Sequence, residues 1–153
     1  MSVSESFVKL VGDWKGTNRL HVPWLQPPVR ETESTAAVAL RTQGKIFCIE
    51  YTWSYEDTPQ DGIVLLSQDP KSDGVTMIFA DSWHLSHAFM ECSGTANENG
   101  AVSVKGYYSV PDHPDWGWRT EIIPGEDEFR FVMYNVSPEG QEDIAVEGDF
   151  TRV

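Results

Sequence analysis

The chain has 153 residues, 40% hydrophobic, 12% aromatic and 23% charged, with 24 Asp and Glu against 11 Lys and Arg. That length and composition predict one globular domain over 1–153 and argue against a disordered or fibrous chain. A net charge of −13 repels phosphate backbones and anionic lipid alike, which excludes nucleic acid and membrane surfaces as expected partners.

Ser2 and Glu5 have the spacing of a capping box, and Phe7, Leu10 and Val11 recur at i, i+3 and i+4. A short helix is therefore predicted at the N-terminus, lying as a lid beside Trp14. From Asp13 the pattern becomes strand-like, and the predicted strands lie near 13–22, 32–42, 45–56, 62–69, 74–82, 87–95, 100–109, 116–123, 127–136 and 142–152. Turn residues separate them, among them Gln43-Gly44, Pro59-Gln60-Asp61-Gly62, Asn97-Glu98-Asn99-Gly100, Pro124-Gly125 and Ser137-Pro138-Glu139-Gly140. Connections this short favour antiparallel neighbours over crossovers. The prediction is an all-β, antiparallel up-and-down barrel of about ten strands, whose closure removes exposed sheet edges. The stretch after the first strand, His21-Val22-Pro23-Trp24-Leu25-Gln26-Pro27-Pro28, holds too many prolines for a long helix and reads as a stiff extended flap carrying Trp24.

No apolar run is long enough for a membrane-spanning helix, and Met1–Ser6 lack the basic and apolar parts of a signal peptide, so the expected location is cytoplasmic. Cys48 and Cys92 sit in apolar strand patterns and read as free buried thiols, with a disulfide as the alternative.

Alternation assigns the faces. Trp14, Gly16, Asn18 and Leu20 share the inner face of the first strand; Phe47, Ile49, Tyr51 and Trp53 that of the third; Val75, Met77, Phe79, Asp81 and Trp83 that of the fifth. Phe129, Phe131 and Met133 face inward on the ninth, and Ile144, Val146, Phe150 and Arg152 on the tenth. Trp118 and Arg119 cannot both point inward, and apolarity favours Trp118; an inward Arg119 would instead grip a carboxylate.

Four short motifs fall in order along the chain: Val11-Gly12-Asp13-Trp14-Lys15-Gly16, His21-Val22-Pro23-Trp24, Phe79-Ala80-Asp81-Ser82-Trp83 and Glu147-Gly148-Asp149-Phe150-Thr151-Arg152. Together they resemble an uncharacterised, mainly bacterial domain family of unknown function with a calycin-like barrel, akin to lipocalins and fatty-acid-binding proteins. The resemblance implies that Trp14 plugs the closed end with Arg152 across its ring, a cation–π contact. It also implies a barrel that holds a small hydrophobic molecule. This chain departs from its relatives after Asp81-Ser82, where Trp83-His84 replaces a small or flexible residue and forms a bulky lip.

Chemistry beyond binding finds little support in the sequence. Asp81, His84 and His87 are spaced by threes, which on a strand points them to alternate faces, so no metal is assigned. Related ten-stranded barrels ligate haem through a histidine near the C-terminal strands; residues 126–153 contain none, leaving only His21 or His84 for that alternative. No cofactor is expected. Asp81-Ser82-His84 supplies residue types for nucleophilic catalysis without the arrangement or a nucleophile elbow. The leading expectation is non-enzymatic binding of a small hydrophobic ligand by Trp24, Tyr51, Trp53, Met77, Trp83, Trp118, Phe131 and Met133. The rival is an enzyme acting on such a molecule through Asp81 or His84 as acid–base group. A barrel packed solid with its own side chains is the third reading.

Overall fold

Ten strands pair in chain order and the last returns to the first, closing an antiparallel barrel. This computed structural model describes residues 5–153. The predicted capping residue Ser2 lies outside them. One short helix, α1 (Glu5–Val8), precedes β1 (Gly12–His21), β2 (Val29–Arg41), β3 (Ile46–Tyr55), β4 (Thr58–Gln68) and β5 (Gly74–Asp81). The chain continues through β6 (Met90–Ala96), β7 (Val102–Val110), β8 (His113–Pro124), β9 (Glu128–Val136) and β10 (Glu142–Arg152). Among the described residues no helix is long and apolar enough to cross a membrane.

Two boundaries differ from the expected ones for a local reason. Glu56 and Asp57 both take left-handed φ values, 47° and 63°, and form a two-residue hairpin turn whose twist matches the flanking strands. Pro59-Gln60-Asp61-Gly62, expected as the turn, therefore belongs to β4 and pairs with β3. Asp112, at φ 62°, likewise lets β8 begin at His113.

The closed end is built around Trp14. Its indole Nε1 donates to the Leu10 carbonyl at 2.8 Å, and the ring meets Phe129 edge-on with centroids 4.9 Å apart. Arg152 lies over the same ring, 4.3 Å from its centroid, and donates to the carbonyls of Lys9 (2.6 Å) and Val11 (3.2 Å). One guanidinium thus covers the plug and satisfies backbone acceptors left open where α1 ends. Phe7 and Leu10 are fully buried beneath this lid, whereas Val11 is exposed because the helix stops at Val8 and turns the chain outward.

Above the plug the interior is filled with rings. Phe129 stacks on Phe150, Phe150 meets Phe131, and Phe131 meets Tyr51, with centroids 4.8, 5.6 and 5.3 Å apart. Two of these rings lie over glycines at the paired positions of the neighbouring strands, Tyr51 over Gly62 and Phe131 over Gly148. A Cβ on Gly62 would fall 2.3 Å from the Tyr51 ring, and one on Gly148 would fall 2.7 Å from that of Phe131. The β7–β8 register slips between Tyr108 and Val110, and a bulge between Ile144 and Val146 shifts β10 against β9. Ala145, not the expected Ile144, therefore packs against the core. Cys48 and Cys92 are buried free thiols. Burial pushes both thiols up, Cys92 to about 11, so neither is a reactive thiolate at neutral pH.

The outer wall of β1, β10 and β9 carries an ion-pair network. Glu147 accepts from Arg19 (3.2 Å), from His21 (2.8 Å) and from Arg130, while Asp149 accepts from Arg19 at 2.6 Å. The Arg19 hydrogen bond is the largest influence on Glu147, holding its carboxyl down to about 2 against the opposing effect of burial; His21 adds to the lowering. A carboxylate held below its unfolded value contributes stability that is present above that value and lost as pH falls towards the folded one. Stability should therefore drop between pH 4.5 and about 2. In urea titrations across that range, Glu147→Gln is expected to be less stable than the parent at pH 7 and to converge with it at the acid end. Parallel curves would show that the pairing contributes nothing.

Candidate ligand site at the open mouth

Asp81 ends β5 with a buried carboxylate that accepts four hydrogen bonds. Tyr51 Oη and Trp53 Nε1 donate to Oδ2 at 2.6 and 3.1 Å, and the backbone N–H groups of Trp83 and His84 donate to Oδ1 at 2.8 and 3.0 Å. Burial, then the Asp81 charge, pushes the Tyr51 phenol well above its ordinary range, so it stays protonated and donates. Asp81 therefore ties the inner face of β3 to the start of the 82–89 loop. The loop turns back at once, with Leu85 N–H on the Asp81 carbonyl at 3.0 Å. Both carboxylate oxygens are fully engaged.

That anchor sets His84 among three tryptophans. Its ring stacks on Trp53 at 5.6 Å, meets Trp83 edge-on at 4.8 Å and tilts against Trp118 at 5.3 Å. Burial lowers the imidazole below its ordinary value, and the nearby Asp81 charge only partly offsets this, so the ring is neutral at pH 7. Among the described residues its ring nitrogens have no hydrogen-bond partner. His21, by contrast, is committed to Glu147, and His87 is exposed. Metal-type clustering of three or more His, Cys, Asp or Glu side chains is absent among the described residues.

His84 opens onto a cavity of about 540 Å³ at the barrel mouth. Trp24, Trp83, Trp116 and Trp118 line it with Tyr108, Leu20, Val22 and Ala145, and Asn135 and Asp143 lie at its polar side. Tyr108 donates to the Asn135 side chain, which fixes both. The Trp118 Nε1 is buried without an acceptor. The 22–28 segment folds over this opening as a compact turn instead of the expected extended flap. Val22 N–H closes it on the Pro28 carbonyl at 2.7 Å, and Leu25 N–H reaches back to Val22 at 2.9 Å. Val22 is thereby buried and Trp24 is left 75% exposed on the rim.

Residues 3–152 match the family described as "Protein of unknown function (DUF1579)". The chain belongs to that family. No curated protein matches it in sequence. Solved structures share its fold. Rv2717c from M. tuberculosis is 12% identical with a TM-score of 0.70, covering 99% of each chain. The S-type phycobiliprotein lyase CPES from Guillardia theta is 17% identical with a TM-score of 0.62, covering 100% of this chain and 93% of that one. At such identities the likeness is one of fold.

Within this DUF1579 barrel the residues expected to line a cavity fall into two groups. Trp24, Trp83 and Trp118 border the mouth cavity. Tyr51, Trp53, Met77, Phe131 and Met133 are buried below or behind it, each at most 4% exposed. Arg119 points outward, donating to Glu121 and Glu142 and lying over the Tyr134 ring at 4.4 Å. Tyr108, Trp116 and Asn135 complete the mouth, and none of them is among the residues expected from the sequence. Alternation carries a signal for two of them, since Trp116 keeps the parity of Trp118 and Tyr108 that of Gly106, which pairs with Trp118.

Proposed function

We propose that this DUF1579 barrel binds a small hydrophobic molecule in its mouth cavity and does not transform it. The observation that carries the reading is the cavity itself: about 540 Å³, walled by four of the six tryptophans, above a floor already closed by packed rings. Its size and its mix of apolar walls with a few fixed polar groups suit a small organic ligand. An acid–base role draws no support from Asp81, whose lone pairs are taken by four donors. The fold shared with a phycobiliprotein lyase is compatible with the binding reading but does not carry it.

Native mass spectrometry of protein purified from its own host, with the released molecules identified, tests the proposal. A stoichiometric hydrophobic passenger is expected. Trp24→Ala should release that passenger faster while changing stability by no more than about 0.5 kcal/mol, because Trp24 is an exposed rim residue. A passenger whose release is indifferent to both Trp24→Ala and Trp83→Ala would sit elsewhere and overturn the assignment to the mouth.

A further inference from the structure

We infer that the molecule taken by the mouth is an uncharged, flat aromatic compound bearing a hydrogen-bond acceptor such as a ring carbonyl, held against the inner face of β8. The inference rests on the binding reading above and names its ligand class.

Charge is the first discriminator. No Lys or Arg lines the cavity among the described residues; its ionisable lining residues are His21, which is committed to Glu147, the neutral His84, and Asp143. Arg119, the one cation that could have served from β8, is held outside by Glu121 and Glu142. An anionic head group would enter a desolvated space without a counter-charge and near a carboxylate, which is costly. Fatty acids and phosphates therefore do not suit this mouth.

Hydrogen bonding is the second. The Trp118 Nε1 is a donor only, and it is buried with no acceptor. Two residues further along the same inner face of β8, the Thr120 hydroxyl is also buried and unpartnered, in a side chain 1% exposed. Buried polar groups in folded proteins are nearly always paired, and of these two orphans Trp118 is the one that borders the cavity, so it marks the place where a partner arrives. The His84 imidazole, packed beside Trp118, adds one donor and one acceptor to the same wall. A carbonyl oxygen answers the Trp118 donor. A pure hydrocarbon leaves it unpaired, and an organic cation brings further donors where an acceptor is needed.

Shape is the third. Trp83, His84 and Trp118 form a run of rings with centroids 4.8 and 5.3 Å apart, and such surfaces pair best with planar rings.

Three probes with a common tricyclic frame separate these points: 9-fluorenone, fluorene and fluorene-9-carboxylate, titrated into the full chain by calorimetry. Fluorenone should bind tightest, with fluorene weaker by roughly fivefold for want of the acceptor. The carboxylate should be weaker than fluorenone by roughly tenfold or more, since its charge goes unpaired. Trp118→Phe, which keeps a ring and removes the donor, should bring fluorenone's affinity down to that of fluorene. Equal binding of fluorene and fluorenone to the parent, or tightest binding of the carboxylate, overturns the ligand class and leaves the binding reading standing. Failure of all three to bind overturns both.

Discussion

Replacing Asp81 by Ala is expected to lower stability by about 3–5 kcal/mol, read as a fall in the urea midpoint. The loss comes from four donors left without an acceptor inside the barrel: the Tyr51 hydroxyl, the Trp53 indole and the N–H groups of Trp83 and His84. Asp81→Asn should cost nearly as much, because an amide offers one acceptor oxygen and turns an NH₂ donor toward two of those donors. This separates an anchor from a catalytic base. A base replaced by its isosteric amide would leave the fold intact and abolish turnover, whereas here the fold itself should weaken. The mouth should suffer too, since Trp83 and His84 are placed by the same carboxylate. An Asp81→Asn protein that melts with the parent would refute the anchor role.

The barrel is legible in the sequence because its two governing signals are local. Period-two alternation names the inner face of each strand, and short polar connections force neighbours to run antiparallel. Where a local signal is weak, expectation and structure part. Glu56-Asp57 lacks the glycine that usually announces a left-handed hairpin turn, so the stronger punctuation of Pro59 to Gly62 draws the expected turn to itself. The bulge at Ala145 leaves no mark in the pattern, and it moves one residue of β10 to the other face. The site is less legible than the fold for a different reason. Alternation says which way Tyr51 or Phe131 points but not how high the packing rises. That height depends on Gly62 and Gly148 falling in register beside those rings on the neighbouring hairpin strands, and alternation alone does not fix the register. His84 stands out by type, but its surroundings come from the four bonds at Asp81, which no spacing rule reveals.

Gly16→Ala is expected to destabilise the chain by more than about 3 kcal/mol, far beyond what the added methyl suggests. A Cβ at that position would lie 1.7 Å from the Asp149 carbonyl oxygen and 2.9 Å from the Phe150 Cα. Those atoms are backbone, so no side-chain rotation can make room, and β1 and β10 must separate where they close the barrel. Nor is β10 free to yield. Asp149 is held from outside by Arg19 at 2.6 Å and by Arg130 at 3.2 Å, while Phe150 is stacked on Phe129 from within. Separation here also loosens Trp14 and Arg152, which pair across the same two strands. Gly140→Ala supplies the contrast. Gly140 has a left-handed φ of 94° but no atom within 4 Å of the new methyl, so it should cost only backbone strain, about 1–2 kcal/mol. Thermal melts of the two variants decide the point. Gly16→Ala must fall well below Gly140→Ala if the closed end depends on that close approach, and equal melting temperatures would mean that the two strands part there at little cost.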